Sequence, residues 1–184
     1  MTAFEGGWSV LKMPIVPHSL QEFEPSGERG MRRNWRASFD DPVTGERLPV
    51  QISSEAFKFK DEDGEGVELQ MEGGIGEKTR DAWGAMVNPA MLWAVQELER
   101  PQDWGVGNSF VEGDLQRRGM GTALYDLLAS IIESEYGGRL YGQGDFQSDD
   151  ALALWESNRG ALYDAFSDSW KPSRNLWRDR RDAE

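Results

Sequence analysis

The sequence predicts a single α/β (α+β) domain, a central mixed β-sheet flanked by helices, with a strand-rich and irregular front half. Three observations predict it. Met120, Ala123, Leu124, Leu127, Leu128, Ile131 and Ile132 follow the three-then-four spacing of one helix face. Ahead of them lie short segments with strand-like alternation, the clearest being Val67, Leu69 and Met71 set against Glu68 and Gln70. The chain has 184 residues, enough for one sizeable core and too few to make two ordinary domains the default.

Residues 1–75 read as strand-rich. Pro14, Pro17 and Pro25, with Gly6, Gly7, Gly27 and Gly30, argue against a long helix near the start, and a short strand is expected at residues 8–13. Residues 32–39 and 49–53 read as a hairpin, because Asp41, Pro42 and Gly45 between them carry turn chemistry. A polar, glycine-bearing turn at 61–66 leads into the strand at 67–71. Residues 77–100 read as helical: Asn88 followed by Pro89 resembles a helix start, and Met91, Leu92, Val95 and Leu98 recur at helical spacing, predicting a helix over 89–99. Residues 105–111, with Val106, Phe110 and Val111, read as a buried strand. The striped helix follows and is stopped by Gly137 and Gly138. A short strand is expected at 139–142 and a further helix at 149–158, capped by Ser148 with Asp149 and Asp150 in its first turn. Residues 161–184 form a C-terminal segment, charged at its end, in which Trp170 and Trp177 interleave with Lys171, Arg174 and Arg178; acids among them favour a segment packed on the body over a nucleic-acid surface.

Composition narrows the chemistry. With no cysteine, disulfides, thiolate zinc sites and a cysteine nucleophile are excluded, and the one histidine, His18, cannot build a histidine-rich metal site, so no metal is expected. A formal charge of −13 disfavours polyanions such as nucleic acid and favours cationic partners. No apolar run is long enough for a membrane helix and the N-terminus lacks a signal-like pattern, so a soluble, cytoplasmic protein without membrane partners is expected.

Residues 105–136 read as strand, then Gly113-Asp114-Leu115-Gln116-Arg117-Arg118-Gly119-Met120-Gly121, then amphipathic helix. A glycine-rich turn entering a helix leaves backbone N–H groups unpaired at the positive end of the helix dipole, which suits phosphate. Gly119 and Gly121 let the backbone approach a diphosphate closely, and Arg117 and Arg118 add charge beside it. No Gly-Lys-Ser/Thr follows and the G-x-G-x-x-G spacing is absent, so neither a P-loop nor a dinucleotide fingerprint is present.

Gln116-Arg117-Arg118-Gly119-Met120-Gly121 resembles the Q/R-x-x-G-x-G/A motif with which GNAT N-acetyltransferases hold the pyrophosphate of acetyl-coenzyme A. Val111 resembles the apolar strand residue ahead of that motif, Leu115 the large residue just before it, and Thr122-Ala123-Leu124 the start of the following helix. The likeness extends over about residues 105–160. It implies a GNAT-like sheet and a cofactor site made of Val111, Gln116, Arg117, Arg118, Gly119, Met120, Gly121 and Thr122. It also implies acetyl-CoA or another acyl-CoA as co-substrate, and an amine-bearing acceptor, for which the acidic balance suits a cation. A homodimer is left open.

The implied reaction is direct attack of a neutral amine on the thioester. A lysine-like amine with a pKa of about 10.4 is mostly protonated at neutral pH, which costs roughly 4 kcal/mol of reactive form, and a carboxylate base offsets part of that. Glu112, Glu72 and Glu68 are the candidate bases. Two departures from the family matter. Trp155 stands where many members carry the tyrosine that protonates the leaving thiolate, leaving Tyr125, Tyr141, Tyr163 or water for that role. The front half lacks the usual pair of helices between the first two strands, so acceptor identity does not carry over. The reading is therefore an acyl-CoA-dependent N-acyltransferase. A catalytically silent CoA-binding or interaction module is the alternative, and an acyltransferase modifying a nucleobase or nucleotide is the weaker one.

Overall fold

Alternating side chains and glycine-marked turns make most of the described residues strand. The computed structural model describes residues 19–23, 32–61, 64–143, 161–164 and 169–172. Its elements are β1 (Gln21–Phe23), β2 (Arg32–Asp40), β3 (Arg47–Asp61), β4 (Gly64–Ile75), β5 (Thr79–Arg80), β6 (Met86–Val87), β7 (Ala90–Gln96), β8 (Asp103–Val111), α1 (Met120–Tyr136), β9 (Arg139–Gln143), β10 (Ala161–Asp164) and β11 (Ser169–Pro172). Nine strands form one sheet in the order β1-β2-β3-β4-β7-β8-β9-β11-β10, and β5 and β6 make a separate small hairpin. Every neighbouring pair in the large sheet is antiparallel except β8–β9, which is parallel and joined by α1. The architecture is thus mixed α/β, a mostly antiparallel sheet with one α-helix among the described residues. None of those residues forms a helix long and apolar enough to cross a membrane.

The helix is where its stripe places it. All seven stripe residues are buried, against Ile52, Met71, Ile75 and Leu92 from the sheet. Its end is closed by the Gly137 N–H donating to Glu133 O at 3.2 Å and the Gly138 N–H to Ile132 O at 3.1 Å, with Gly137 at φ 63°. The β2–β3 hairpin also forms where its turn residues predict it. Asp41 Oδ1 accepts from the Val43 N–H at 2.9 Å, and Gly45 takes φ 71°.

The helix expected over 89–99 is instead β7, and the preceding residues, expected to be helical, hold the β5–β6 hairpin. The cause is an apolar run that fills both faces of the strand. Lying between β4 and β8, β7 buries Ala90, Leu92 and Ala94 under α1 and leaves Met91, Trp93 and Val95 half-buried on the other face. Six consecutive apolar residues hide strand alternation in the sequence and mimic helical spacing. Leu98, the fourth member of the supposed stripe, is 55% exposed in the turn after the strand. Strand β4 outruns its expected end at Met71, through Gly73 and Gly74. A Cβ on Gly73 would lie 2.6 Å from Leu128 Cδ1, so glycine there admits the helix rather than breaking the strand. Residues 161–164 and 169–172, read only as an end segment, supply the two strands at the far edge. The strand expected at 8–13, the helix expected at 149–158, His18 and Trp155 lie outside the described residues.

Leu128 is fully buried between α1 and Gly73. Leu128→Ala should lower unfolding free energy by about 2–5 kcal/mol in urea titration, whereas exposed Leu98→Ala should change it by less than about 0.5 kcal/mol.

Candidate functional site

The site is assembled where β8 leaves the sheet and α1 begins. Strand β8 pairs with β9 only from Asp103–Arg139 to Val106–Gly142. Beyond that, residues 107–111 have no strand partner on the side away from β7 among the described residues, and residues 107–110 are exposed. The separation begins at a bulge. Trp93 pairs with Asn108 and Ala94 with Val106, leaving Gly107 as the extra residue. The Trp93 ring lies against it, so that a Cβ on Gly107 would sit 2.6 Å from Trp93 Cε3. Among the described residues this leaves an open strand edge of five residues, roughly 15 Å long, of the kind that pairs with an extended ligand.

At the end of β8 the chain turns tightly. The Glu112 N–H donates to Pro89 O at 2.8 Å, and a 3-10 turn at Gly113–Leu115 returns the Leu115 N–H to Glu112 O at 2.9 Å. Gln116 Nε2 donates to Val111 O at 3.3 Å. Arg117 then takes φ 61°, the one non-glycine residue with positive φ among those described, and Gly119 takes φ 83° as the residue before α1. Two positive-φ residues thus flank Arg118, the kind of backbone pattern from which anion-binding concavities are built. No side chain caps α1, and its first-turn N–H groups have no intrahelical acceptor. Gly121 faces Val111, with 3.7 Å between a Cβ built on it and Val111 Cγ2.

The residues expected to hold a cofactor are therefore contiguous, but their side chains divide the work unequally. Arg117 is exposed in this loop. Met120 is 1% exposed and anchors the helix in the core, so only its backbone is presented. Gly121 and Thr122 are half-buried. Arg118 is turned away: Nη1 donates to Asp41 Oδ2 at 2.8 Å and Nη2 to Asp114 O at 2.7 Å. Its charge is thus committed to the β2–β3 turn, and it does not act as a free cation beside Arg117. Asp41, the residue that sequence reading used only for its turn chemistry, is 3% exposed. A partner 77 positions away leaves no local signal.

The candidate proton carriers are scattered. Glu112 is exposed at the loop itself. Glu72 lies on the sheet face opposite α1, level with Trp93 and, through it, Asn108 at the bulge; its Oε1 is 3.6 Å from Lys78 Nζ. Glu68 stands further along the same face and accepts from Gln70 Nε2. Tyr125 is 3% exposed within the core cluster, and Tyr141, 6% exposed, pairs with Gly105 at the base of the fork. Tyr163 belongs to β10, two strands beyond β9.

Compared with known protein families, curated proteins and solved structures, the chain matches no family model, no curated protein and no solved structure.

Burial pushes the Asp41 carboxyl up, but the Val43 N–H, the Arg118 guanidinium and the Thr44 hydroxyl outweigh it and hold it below its ordinary value of 3.8. A depressed acid stabilises the fold fully above its unfolded value, and that contribution is lost as pH falls through the lower folded value. The stability advantage of wild type over Asp41→Asn should therefore be constant above about pH 5 and shrink by about pH 3. Urea midpoints at both pH values check it; an advantage that grows on acidification would contradict the assignment.

Proposed function

We propose that the protein is an acyl-CoA-dependent N-acyltransferase, an acetyltransferase in the simplest case, acting on an amine-bearing and preferably cationic acceptor. The observation that carries the reading is the adjacency of two backbone surfaces without partners among the described residues, the N–H groups at the start of α1 and the outer edge of β8. Coenzyme A has matching parts: a diphosphate for the first and an arm containing two amides for the second. A dinucleotide or nucleoside triphosphate would use the first and leave the second empty. The motif Gln116-Arg117-Arg118-Gly119-Met120-Gly121 supports the same ligand by its resemblance to GNAT enzymes.

With the diphosphate at Gly119–Thr122, the arm would run back along β8 and bring the thioester to the level of Gly107 and Asn108. The bulge backbone there offers N–H groups to a developing oxyanion. Glu72 is level with that point but separated from β8 by β7 and its Trp93 side chain, about 10 Å across two strand spacings, so it would act only through a chain of waters. Glu112 stands at the diphosphate end of the edge, which leaves Glu72 the better base of the two. A thiol of pKa about 8.5 leaves without a strong acid, so water can protonate it although Tyr125 and Tyr141 are buried. That same burial favours, as the second reading, a module that binds coenzyme A without transferring its acyl group.

Titration calorimetry with coenzyme A and acetyl-coenzyme A should show one site per chain. Gly119→Trp forces a bulky side chain into left-handed backbone and should abolish binding, whereas Arg117→Ala should weaken it by less than about tenfold. Transfer to a panel of amines separates enzyme from binding module. Absence of binding by the wild type would overturn both readings.

A further inference from the structure

We propose that Asp41 is a positioning residue for the anion-binding loop, acting through Arg118. The consequence for coenzyme A rests on the functional reading above; the mechanical role of the pair does not. The loop contains an energetic liability in Arg117, a side-chain-bearing residue at φ 61°, which would relax to negative φ if nothing held its neighbours. Such relaxation would remove one of the two positive-φ positions that shape the loop. The residue between the two left-handed positions is Arg118, and its guanidinium is held at both ends, by Asp41 Oδ2 at 2.8 Å and by Asp114 O at 2.7 Å. One side chain thus joins the β2–β3 turn, the 3-10 turn and the loop.

Asp41 is a firm anchor because its own turn fixes it. Its N–H donates to Glu46 O at 2.9 Å, its carbonyl accepts from the Gly45 N–H at 2.8 Å, and its second carboxylate oxygen accepts from the Val43 N–H at 2.9 Å. With Asp41 3% and the Arg118 side chain 19% exposed, the pair is poorly screened by water, and freeing Arg118 to meet a phosphate would strand a buried carboxylate. Arg118 therefore shapes the loop and leaves direct anion contact to the backbone and Arg117. A direct-contact role makes the opposite prediction for Asp41, because neutralising the competing carboxylate would release the arginine and strengthen binding.

The test uses the full chain and the variants Asp41→Asn, Arg118→Gln, their combination, and Arg118→Lys. Asparagine retains a carbonyl for the Val43 N–H, so the turn has the means to persist. In native-state hydrogen exchange without ligand, both single variants should speed exchange of the Leu115 and Ala123 amides, which bound the loop and are bonded to Glu112 O and Gly119 O, on the order of tenfold while Ile52 and Leu92 stay unchanged. Uniform acceleration across the protein, or none at Leu115 and Ala123, would overturn the positioning role. In calorimetry with coenzyme A, each single variant should weaken binding on the order of tenfold and the double variant should be no worse than either single. Asp41→Asn with unchanged or tighter binding would overturn the proposal in favour of direct contact. Arg118→Lys keeps the charge but cannot span both acceptors, so it should fall between wild type and Arg118→Gln; wild-type affinity in this variant would equally count against positioning. Should wild type bind no coenzyme A, the functional reading fails, and the exchange data still decide the role of Asp41.

Discussion

Packing of one 17-residue helix across a sheet that opens beneath it is the constraint on which the remaining structure depends. Apolar residues on α1 must be buried, and the sheet supplies the surface by removing side chains at Gly73 and setting Ile52, Met71 and Leu92 around the gap. With α1 fixed, the parallel β8–β9 pair is fixed too, since the helix is their crossover. Parallel pairing holds only at the base, through Val106 and Gly142, and the bulge at Gly107 turns the rest of β8 out of that pairing. The same packing that builds the core thus aims the start of α1 and the free edge of β8 at a common space.

The loop between these surfaces depends on long-range support rather than on its own sequence. Arg117 occupies a conformation that costs a side-chain-bearing residue free energy, and Gly119 occupies one that only glycine takes readily. Tethering of Arg118 to the β2–β3 turn stabilises that shape at the expense of one cation. The positive potential offered to an anion consequently comes from peptide dipoles more than from side chains. Under the proposed function this lets a strongly acidic protein hold an anion locally: dipoles at contact distance act where the diffuse field of distant carboxylates is screened by salt.

Legibility in the sequence followed the range of the forces involved. Helix α1 was readable because its stripe, its glycine stop and its glycine-rich entry are local, as were the β2–β3 hairpin and the strand alternation at Val67, Leu69 and Met71. Strand β7 was not, because an apolar run on both of its faces erases the period of two, and Asn88-Pro89 is as compatible with a strand entry as with a helix start. Gly73 and Gly74 are explained only by the approach of Leu128 and Asn88. Of the candidate site, the glycine-rich entry of residues 116–122 into α1 was legible. The diversion of Arg118 to Asp41, the burial of Tyr125 beside the stripe and the level of Glu72 with the bulge all require the fold, since each depends on residues far apart in the chain.

The central claim is that α1 and the outer edge of β8 form one continuous backbone site for coenzyme A. Amide chemical-shift mapping with coenzyme A tests it most directly. The account predicts shifts concentrated at amides 107–111 and 117–122, with the diphosphate fragment alone reproducing only the second group. Perturbation confined to other surfaces, or the absence of any shift at saturating coenzyme A, would contradict it.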